Sequence, residues 1–480
     1  MKKKIIILLS VILNFIFFFG FSQNETDALR YSQNFATGSS RFTSMGGAFG
    51  ALGGDFSSLS SNPAGIGIFR KSEFSFSPSV FVSSTNTNHY GNVSFGNKSN
   101  FNFGNCGLVL TLNNGKNSGW VTTSLGFGYN RLNNFTTRIS VEGANNGSSL
   151  LDLFKGQIEK NDFSLFGTQL AWKAYLIDFD SAGNKYFTVF PTYGETQKKS
   201  ISKSGSIGET VFSLGGNYNN KLYLGGTVGL SKVRYSEISK YSEISNPKDT
   251  NIILNSFSLN ENLSTSGSGI NFKIGMIYRL MEFIRIGGAF HSPTFYDLSD
   301  KWDANLKSDF KDSSSEYSSD PGQINYSLST PFKAIGSLAL VFGKIGLISC
   351  DYEFVDYSGS RLSPSGASDY SFSKENNLIA EKYVPAGNIK LGTEWKINPF
   401  SLRAGFASYG NPFSSAIGNQ SKNNCYSLGL GIREEGYFLD FAYVISNTSE
   451  KYFLYSSALI NGTKINQTSQ SFLVTLGFRF

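Results

Sequence analysis

Histidine is the side chain most used for acid–base and metal chemistry near neutral pH, and it occurs only twice in 480 residues, at His89 and His291. Ser292 follows His291, but neighbours on a strand point to opposite faces, so the two cannot form a hydrolytic pair with each other. The run Asp178-Phe179-Asp180-Ser181-Ala182-Gly183 begins like a calcium loop. Ala182 replaces its third ligand, and Val189 stands where the bidentate carboxylate belongs. The glycine-rich stretch from Met45 to Asp55 contains neither Gly-Lys-Ser/Thr nor G-x-G-x-x-G, so it is no nucleotide loop. Cys106, Cys350 and Cys425 are odd in number and widely spaced, which implies no disulfide framework and no metal motif. The expectation is a protein with no catalytic residues, no metal and no cofactor.

What remains is chemistry of binding. Leu150, Leu151, Phe154 and Ile158 recur at helical spacing, as do Leu165, Phe166, Leu170 and Trp172. Two readings stand side by side. These residues pack on one another as a cap, or Leu150, Leu151, Phe154, Phe166, Leu170 and Trp172 line an apolar groove for a greasy solute. Burial of such a solute gains about 0.8 kcal/mol per methylene. Lys155, Lys160 and Lys173 lie beside the apolar faces and are candidates to pair with a carboxylate head group.

The elements that must position such a groove follow from composition. Gly (51), Phe (44) and Tyr (24) are abundant while charged residues make up 16%. That excludes disorder and argues against a helical bundle. Residues 1–22 read as a signal peptide: Met1-Lys2-Lys3-Lys4, an apolar run from Ile5 to Phe19, then Gly20-Phe21-Ser22 before the cleavage point. The three lysines of this leader carry part of the formal +7, and the remaining basic residues are not clustered, so nucleic acid is no expected partner. No later stretch is apolar for the ~18 residues of a membrane helix.

Instead, fourteen runs look like strands: 72–83, 100–113, 119–131, 207–219, 221–234, 268–280, 283–296, 332–342, 345–358, 386–397, 399–410, 423–434, 436–447 and 469–480. In the last, Phe472, Val474, Leu476, Phe478 and Phe480 alternate with Ser471, Thr475, Gly477 and Arg479. The connections alternate between tight turns and long polar segments, the longest at 132–206 and partly helical. An even strand number with tight turns at one end and long loops at the other describes an all-β membrane protein, a 14-stranded antiparallel transmembrane β-barrel of the outer membrane. Lumenal Lys273, Arg279, Arg285, Lys390, Arg403 and Arg433 are expected to hold the N-terminal hatch by pairing with Asp351, Glu353, Glu394 and Asp440. Residues 23–71 do not alternate. Their glycines, with Phe49, Phe56, Leu59, Ile66, Ile68 and Phe69, suit a compact N-terminal hatch (plug) inside the barrel formed by 72–480.

Ser61-Asn62-Pro63-Ala64-Gly65 closes this segment. A leader, a glycine-rich segment ending in Asn-Pro-Ala and a barrel together resemble the FadL/TodX family of outer-membrane long-chain fatty acid and hydrocarbon transporters. Gly288-Ala289-Phe290-His291-Ser292-Pro293-Thr294, Asp351 to Ser358 and Leu402-Arg403-Ala404-Gly405-Phe406 look similar too. Ala28-Leu29-Arg30-Tyr31-Ser32 and the loop composition look more like the Bacteroidetes-type branch. The resemblance implies passive uptake of hydrophobic small molecules by a monomer. The solute is captured in an external groove, passes to a pocket beside the hatch, and leaves laterally through the wall into outer-membrane lipid. It places the hatch motif at Asn62, Pro63 and Ala64, and the wall opening at the third strand, here the Gly126/Gly128 stretch. The alternatives are a haem receptor, for which His89 in an external loop would be the ligand, and an outer-membrane lipid-modifying enzyme.

Overall fold

The computed structural model describes residues 25–480 except 146, 191, 247, 249–252, 367–369 and 418–420. The leader assigned to 1–22 lies outside the described residues. Fourteen antiparallel strands form the wall: β1 (Glu73–His89), β2 (Asn92–Asn113), β3 (Trp120–Asn134), β4 (Glu195–Tyr218), β5 (Leu222–Ile244), β6 (Leu254–Arg279), β7 (Ile284–His291), β8 (Lys333–Phe342), β9 (Gly346–Asp356), β10 (Pro385–Ile397), β11 (Phe400–Tyr409), β12 (Asn423–Arg433), β13 (Tyr437–Tyr452) and β14 (Thr463–Arg479). Each pairs with the next, and β14 pairs back onto β1 with Phe478 opposite Phe74, so the sheet has no edge. Closure satisfies the backbone that hydrocarbon cannot hydrate. No helix among the described residues is long and apolar enough to cross a membrane.

Side-chain burial tells which face meets lipid. On β10, Ile389, Leu391 and Trp395 are 40–45% exposed while Asn388, Lys390 and Glu394 are 2–7% exposed. A soluble sandwich has the reverse arrangement. Apolar side chains therefore face outward around an interior of serine, asparagine and charged groups, as an outer-membrane barrel requires. Aromatic pairs such as Trp120–Tyr218 and Phe342–Trp395 ring the end with the tight turns, at the level of a lipid interface.

All fourteen predicted runs are strands, but the predicted long loops are mostly not loops. Residues 84–99, read as a loop, continue β1 and β2 to a turn at Tyr90-Gly91. Much of 235–267 and 448–468 likewise prolongs β5, β6, β13 and β14. Ser, Thr and Asn dominate there, and apolar side chains such as Tyr241, Phe257 and Leu259 are too sparse to show a period of two, yet antiparallel pairing continues beyond the membrane. Two strands break at proline. β7 resumes after Ser292-Pro293-Thr294 as Phe295–Phe310, and Gly322–Ser329 leads into β8 across Thr330-Pro331-Phe332. Proline has no amide hydrogen for the ladder.

Residues 25–71 lie against the polar face of the closed sheet, and therefore within the bore. Short helical turns at Ser40–Ser44, Phe56–Ser60 and Pro63–Ile68 each begin with a side-chain cap, from Ser39, Asp55 and Asn62. Phe42, Met45, Phe49 and Leu52 pack as one cluster, and Phe56, Leu59 and Ile66 pack against Val109 and Val211 of the wall. The wall comes so close that a Cβ at Gly225 would lie 2.3 Å from the Pro63 carbonyl oxygen, and one at Gly275 would lie 1.9 Å from the Asn62 amide. Only glycine fits at these two positions.

Candidate functional site

β2 and β3 part company midway. They pair from Asn113 and Thr122 up to Asn105 and Asn130, and no further. Beyond this point the backbone ladder of β2 runs to β1 alone, while β3 shifts register against β4 between Arg131 and Asn133 and continues as Thr137–Asn145. That continuation runs behind the β1–β2 hairpin. Thr85 and Thr87 donate to the Arg138 and Ser140 carbonyls, each at 2.6 Å. The wall thus carries a seam between Gly104 and Arg131, above the Gly126/Gly128 stretch where the opening was predicted. Those two glycines remain paired. They make room for Ile66, Leu59 and Phe56 of the N-terminal segment, which explains their presence without a kink.

Side-chain hydrogen bonds, not a backbone ladder, bridge the seam: Asn134 Nδ2 donates to Asn100 Oδ1 at 3.2 Å, and Lys98 Nζ donates to the Lys203 carbonyl at 2.8 Å. Arg131 Nε donates to the Phe103 carbonyl at 3.1 Å, and Thr37 donates to the Arg131 carbonyl. A cavity of about 290 Å³ lies directly behind it. Its lining joins Phe35, Thr37 and Gly38 of the N-terminal segment, Gly104 and Arg131 at the seam, and Phe81, Tyr409, Val444 and Leu473 from β1, β11, β13 and β14. Phe35 stacks edge-on against Tyr409 at 5.0 Å, and the Ala36 amide donates to the Tyr409 oxygen at 2.7 Å. The lining also carries many hydroxyl and amide groups, Ser79, Asn102, Asn133 and Ser446 among them, with one cation, Arg131, and one carboxylate, Glu450, so aromatic and aliphatic surface lies beside polar groups that could orient a small amphipathic ligand.

The Asn-Pro-Ala triplet sits elsewhere, against β6 and β7. The Asn62 amide is fully buried and donates to the carbonyls of Gly50 (2.6 Å), Met276 (3.2 Å) and Gly288 (3.4 Å), and its oxygen accepts from the Ala64 amide (3.0 Å). Pro63 opens the following turn, and Ala64 packs on Tyr223 and Ile277. The triplet fastens the segment to the wall. The lumenal charges also act here, in a pattern that differs from the expected one. Lys390 pairs with Glu353 at 3.0 Å, and Arg403 with Glu394 and Asp440. These pairs are wall to wall. The segment's own Arg41 reaches Glu394 at 2.8 Å, and Ser60 reaches Glu209, the partner of Lys273. Asp351 accepts from the Gly50 amide at 2.9 Å.

Above the barrel, the strand extensions meet helices Leu150–Ile158 and Thr168–Lys173 in a cap. Leu150, Leu151, Phe154 and Leu170 are buried there with Ile139, Tyr241, Phe257, Leu306 and Ile460. Four of the six residues assigned to a groove are thus cap core, closed off by neighbours that the chain supplies from distant strands. Phe166 is half-buried against Trp302, and Trp172 is exposed. The exposed apolar face of the cap is a different set: Phe163, Leu165, Trp172, Tyr175, Phe179 and Phe187. Lys160 and Lys173 are exposed beside it, and Lys155 is half-exposed.

Glu243 carries the cap's first helix. It accepts from Ser149 Oγ (2.7 Å), the Leu150 amide (2.8 Å), Tyr241 (2.6 Å) and Gln197 (3.3 Å). Burial raises its carboxyl to about 7, with Glu195 adding to the rise and the hydrogen bonds from Tyr241, Leu150 and Ser149 opposing it. An unfolded cap ionises this group near 4.5, so between that pH and about 7 the folded cap binds the extra proton. Cap stability is therefore expected to fall as pH rises across this window and to level off above it. Hydrogen-exchange protection of Leu150–Ile158, measured at pH 5 and pH 8, checks this. The Glu243→Gln variant is expected to flatten the difference, and an unchanged difference would refute the assignment.

Both histidines are enclosed. His89, read as a loop residue, ends β1, where it is 3% exposed and bonds Thr463 Oγ1 through Nδ1 at 2.6 Å. His291 Nε2 meets the Ser61 carbonyl at 2.7 Å, while the Ser292 hydroxyl turns to the Pro293 carbonyl. No group of three or more metal-ligating side chains occurs among the described residues.

The residues lining the cavity and seam escaped sequence reasoning, because they come from strands far apart in the chain and share no spacing. Arg131 left the one usable signal: a cation just past two glycines, followed by Asn133-Asn134.

Wall, seam and occupied bore define the class: a fourteen-stranded outer-membrane barrel whose own N-terminal segment lies in its lumen. Among solved structures the fold is that of the FadL/TodX barrels. A Pseudomonas aeruginosa FadL homologue superposes with TM-score 0.57 at 13% identity, covering 93% of this chain and 100% of that one. The P. putida toluene transporter TodX gives 0.54 at 12% identity, covering 93% and 99%. No protein-family model matches the sequence, and no curated protein matches it.

Proposed function

We propose that this chain is a passive outer-membrane channel for hydrophobic compounds, with residues 23–71 acting as its hatch and 1–22 as its export leader. The observation that carries the reading is the cavity bounded on one side by Thr37 and Gly38 and on the other by the Gly104–Arg131 seam. A solute in it touches both the movable segment and the weak line in the wall. The exposed face of Phe163, Trp172, Tyr175, Phe179 and Phe187 would make the first capture, and the seam would release the solute sideways into lipid. The chain works as a monomer, since one barrel contains the whole route. The similar structures include a FadL homologue and a toluene transporter, which supports a greasy cargo.

Long-chain fatty acid is the finer reading. Lys155, Lys160 and Lys173 on the cap and Arg131 at the seam are cations placed to meet a carboxylate. The cavity, close to the lower end of the ~300–1,000 Å³ typical of ligand sites, holds part of such a chain and leaves the rest along the seam. The haem alternative has no imidazole to work with, as both rings are buried and engaged. Accumulation of labelled oleate and of toluene by cells making the protein tests the reading. Saturable uptake of both is expected, with Arg131→Gln raising the KM for oleate about tenfold and leaving toluene unchanged, the loss of one charge-assisted contact. Equal effects on both solutes would leave the channel but remove the carboxylate role. No uptake of either would remove the channel.

A further inference from the structure

The end of the barrel with the tight turns, which faces the periplasm in such proteins, opens into a second cavity of about 510 Å³ beneath the N-terminal segment. Its floor is Gly53, Gly54, Ile68 and Phe69 of that segment, and its rim comes from the turns after β8 and β12, the last residues of β10 and the end of the chain. Two ion pairs lie inside it, Arg41 with Glu394 at 2.8 Å, a carboxylate that Arg403 also shares, and Arg479 with Glu73 at 2.9 Å. Five further cations line it: Arg70, Lys71, Arg285, Lys344 and Lys396. None of the five has a carboxylate within 4.0 Å among the described residues, and the only other acid in the lining is the exposed Glu435. The guanidinium of Arg285 is the most telling. Its Nε is buried with no hydrogen-bond partner, and the titratable groups acting on it are the Tyr223 phenol and three cations, Arg279, Arg70 and Arg41, with no carboxylate among them.

Concentrated like charge in a recess opposes folding unless something offsets it, and a walled recess focuses its field on ions of the opposite sign. A site for hydrophobic cargo needs no such excess. We infer that this vestibule binds a multivalent oxyanion from the periplasmic side, its carboxylates or phosphates seated between Arg285, Arg70 and the lysines Lys344 and Lys396. Arginine forks suit such groups in pairs, and lysines add charge. The recess is too large for a single carboxylate, so the ligand presents several, either as a small polyacid or as an acidic segment of another protein. This inference is independent of the cargo reading, because the vestibule shares no residue with the seam cavity.

Calorimetric titration of the full mature chain in neutral detergent, with citrate and separately with hexaglutamate, tests it. Binding is expected to weaken with added salt. It is also expected to weaken at least about tenfold in the variant carrying Arg70→Gln, Lys71→Gln, Lys344→Gln and Lys396→Gln, the loss of several charge contacts. All four side chains are exposed, so the barrel is expected to stay intact. Arg285→Gln alone should reproduce part of the loss. Comparable binding of both probes supports a small polyacid as ligand, and binding of hexaglutamate alone supports an acidic segment. Absence of binding by both probes, or binding indifferent to the four substitutions, overturns the inference, while oleate uptake remains a separate readout.

Discussion

A disulfide between Ser40→Cys and Thr475→Cys is expected to stop solute uptake, and its reduction to restore it. Ser40 lies on the short helix of the N-terminal segment and Thr475 on β14. The Ser40 amide donates to Thr475 Oγ1 at 2.7 Å, and the two hydroxyls lie 3.0 Å apart. Side chains so placed can accept a sulfur bridge with little backbone movement. The link lies two residues from Gly38, whose carbonyl oxygen would be 2.2 Å from a Cβ at Gly104, so it pins the segment at the edge of the seam. If the segment must shift for a solute to leave the cavity, tying it to β14 removes that shift. The native thiols Cys106, Cys350 and Cys425 would be replaced by serine beforehand. Uptake measured before and after reductant gives the result in one preparation. Unchanged uptake with the bridge fully formed would show that the segment is a fixed filling and that the solute passes it without displacement.

That experiment rests on a contact that no sequence pattern announced, which marks where legibility ended. The wall was legible because hydrocarbon imposes a rule on every strand: one face must be apolar, so Ile389, Leu391 and Trp395 declare themselves against Asn388, Lys390 and Glu394. In water the rule lapses, and the extensions at 84–99 and 235–267 read as loops while pairing as strands. The cap residues were found, but spacing alone left cap and groove side by side as readings. Helical spacing shows that Leu150, Leu151 and Phe154 share a face; it does not show that Ile139, Tyr241 and Leu306 arrive from other strands to cover that face. The seam fails to register for a similar reason. It is a difference in pairing, present where β2 and β3 cease to bond, and Arg131 or Gly104 taken singly is an ordinary residue.

The lumenal charges permit a sharper test, because their order along the wall fixes which substitution hurts. Arg41, Glu394, Arg403, Asp440 and Arg433 form a chain of alternating sign, with Arg403 at 2.6 Å from Glu394 and 2.7 Å from Asp440, and Arg433 at 2.5 Å from Asp440. Arg403 and Asp440 are fully buried. Asp440→Asn leaves three arginines around a single carboxylate, and removal of one partner from a buried pair costs roughly 3–5 kcal/mol. Arg403→Leu leaves two matched pairs, Arg41 with Glu394 and Arg433 with Asp440, so its cost is expected to be less than half as large despite deletion of the bigger side chain. Urea unfolding of the barrel, followed by the mobility difference between folded and unfolded forms, measures both. The Asp440 variant should also loosen the N-terminal segment, since its surplus cations repel Arg41. A protease that cleaves within residues 38–71 only when they leave the bore should therefore cut that variant faster than the Arg403 variant. Equal destabilisation by the two substitutions would mean that water reaches this chain of charges and screens it, and that hydrogen bonds and packing, rather than the balance of charge, hold the segment to the wall.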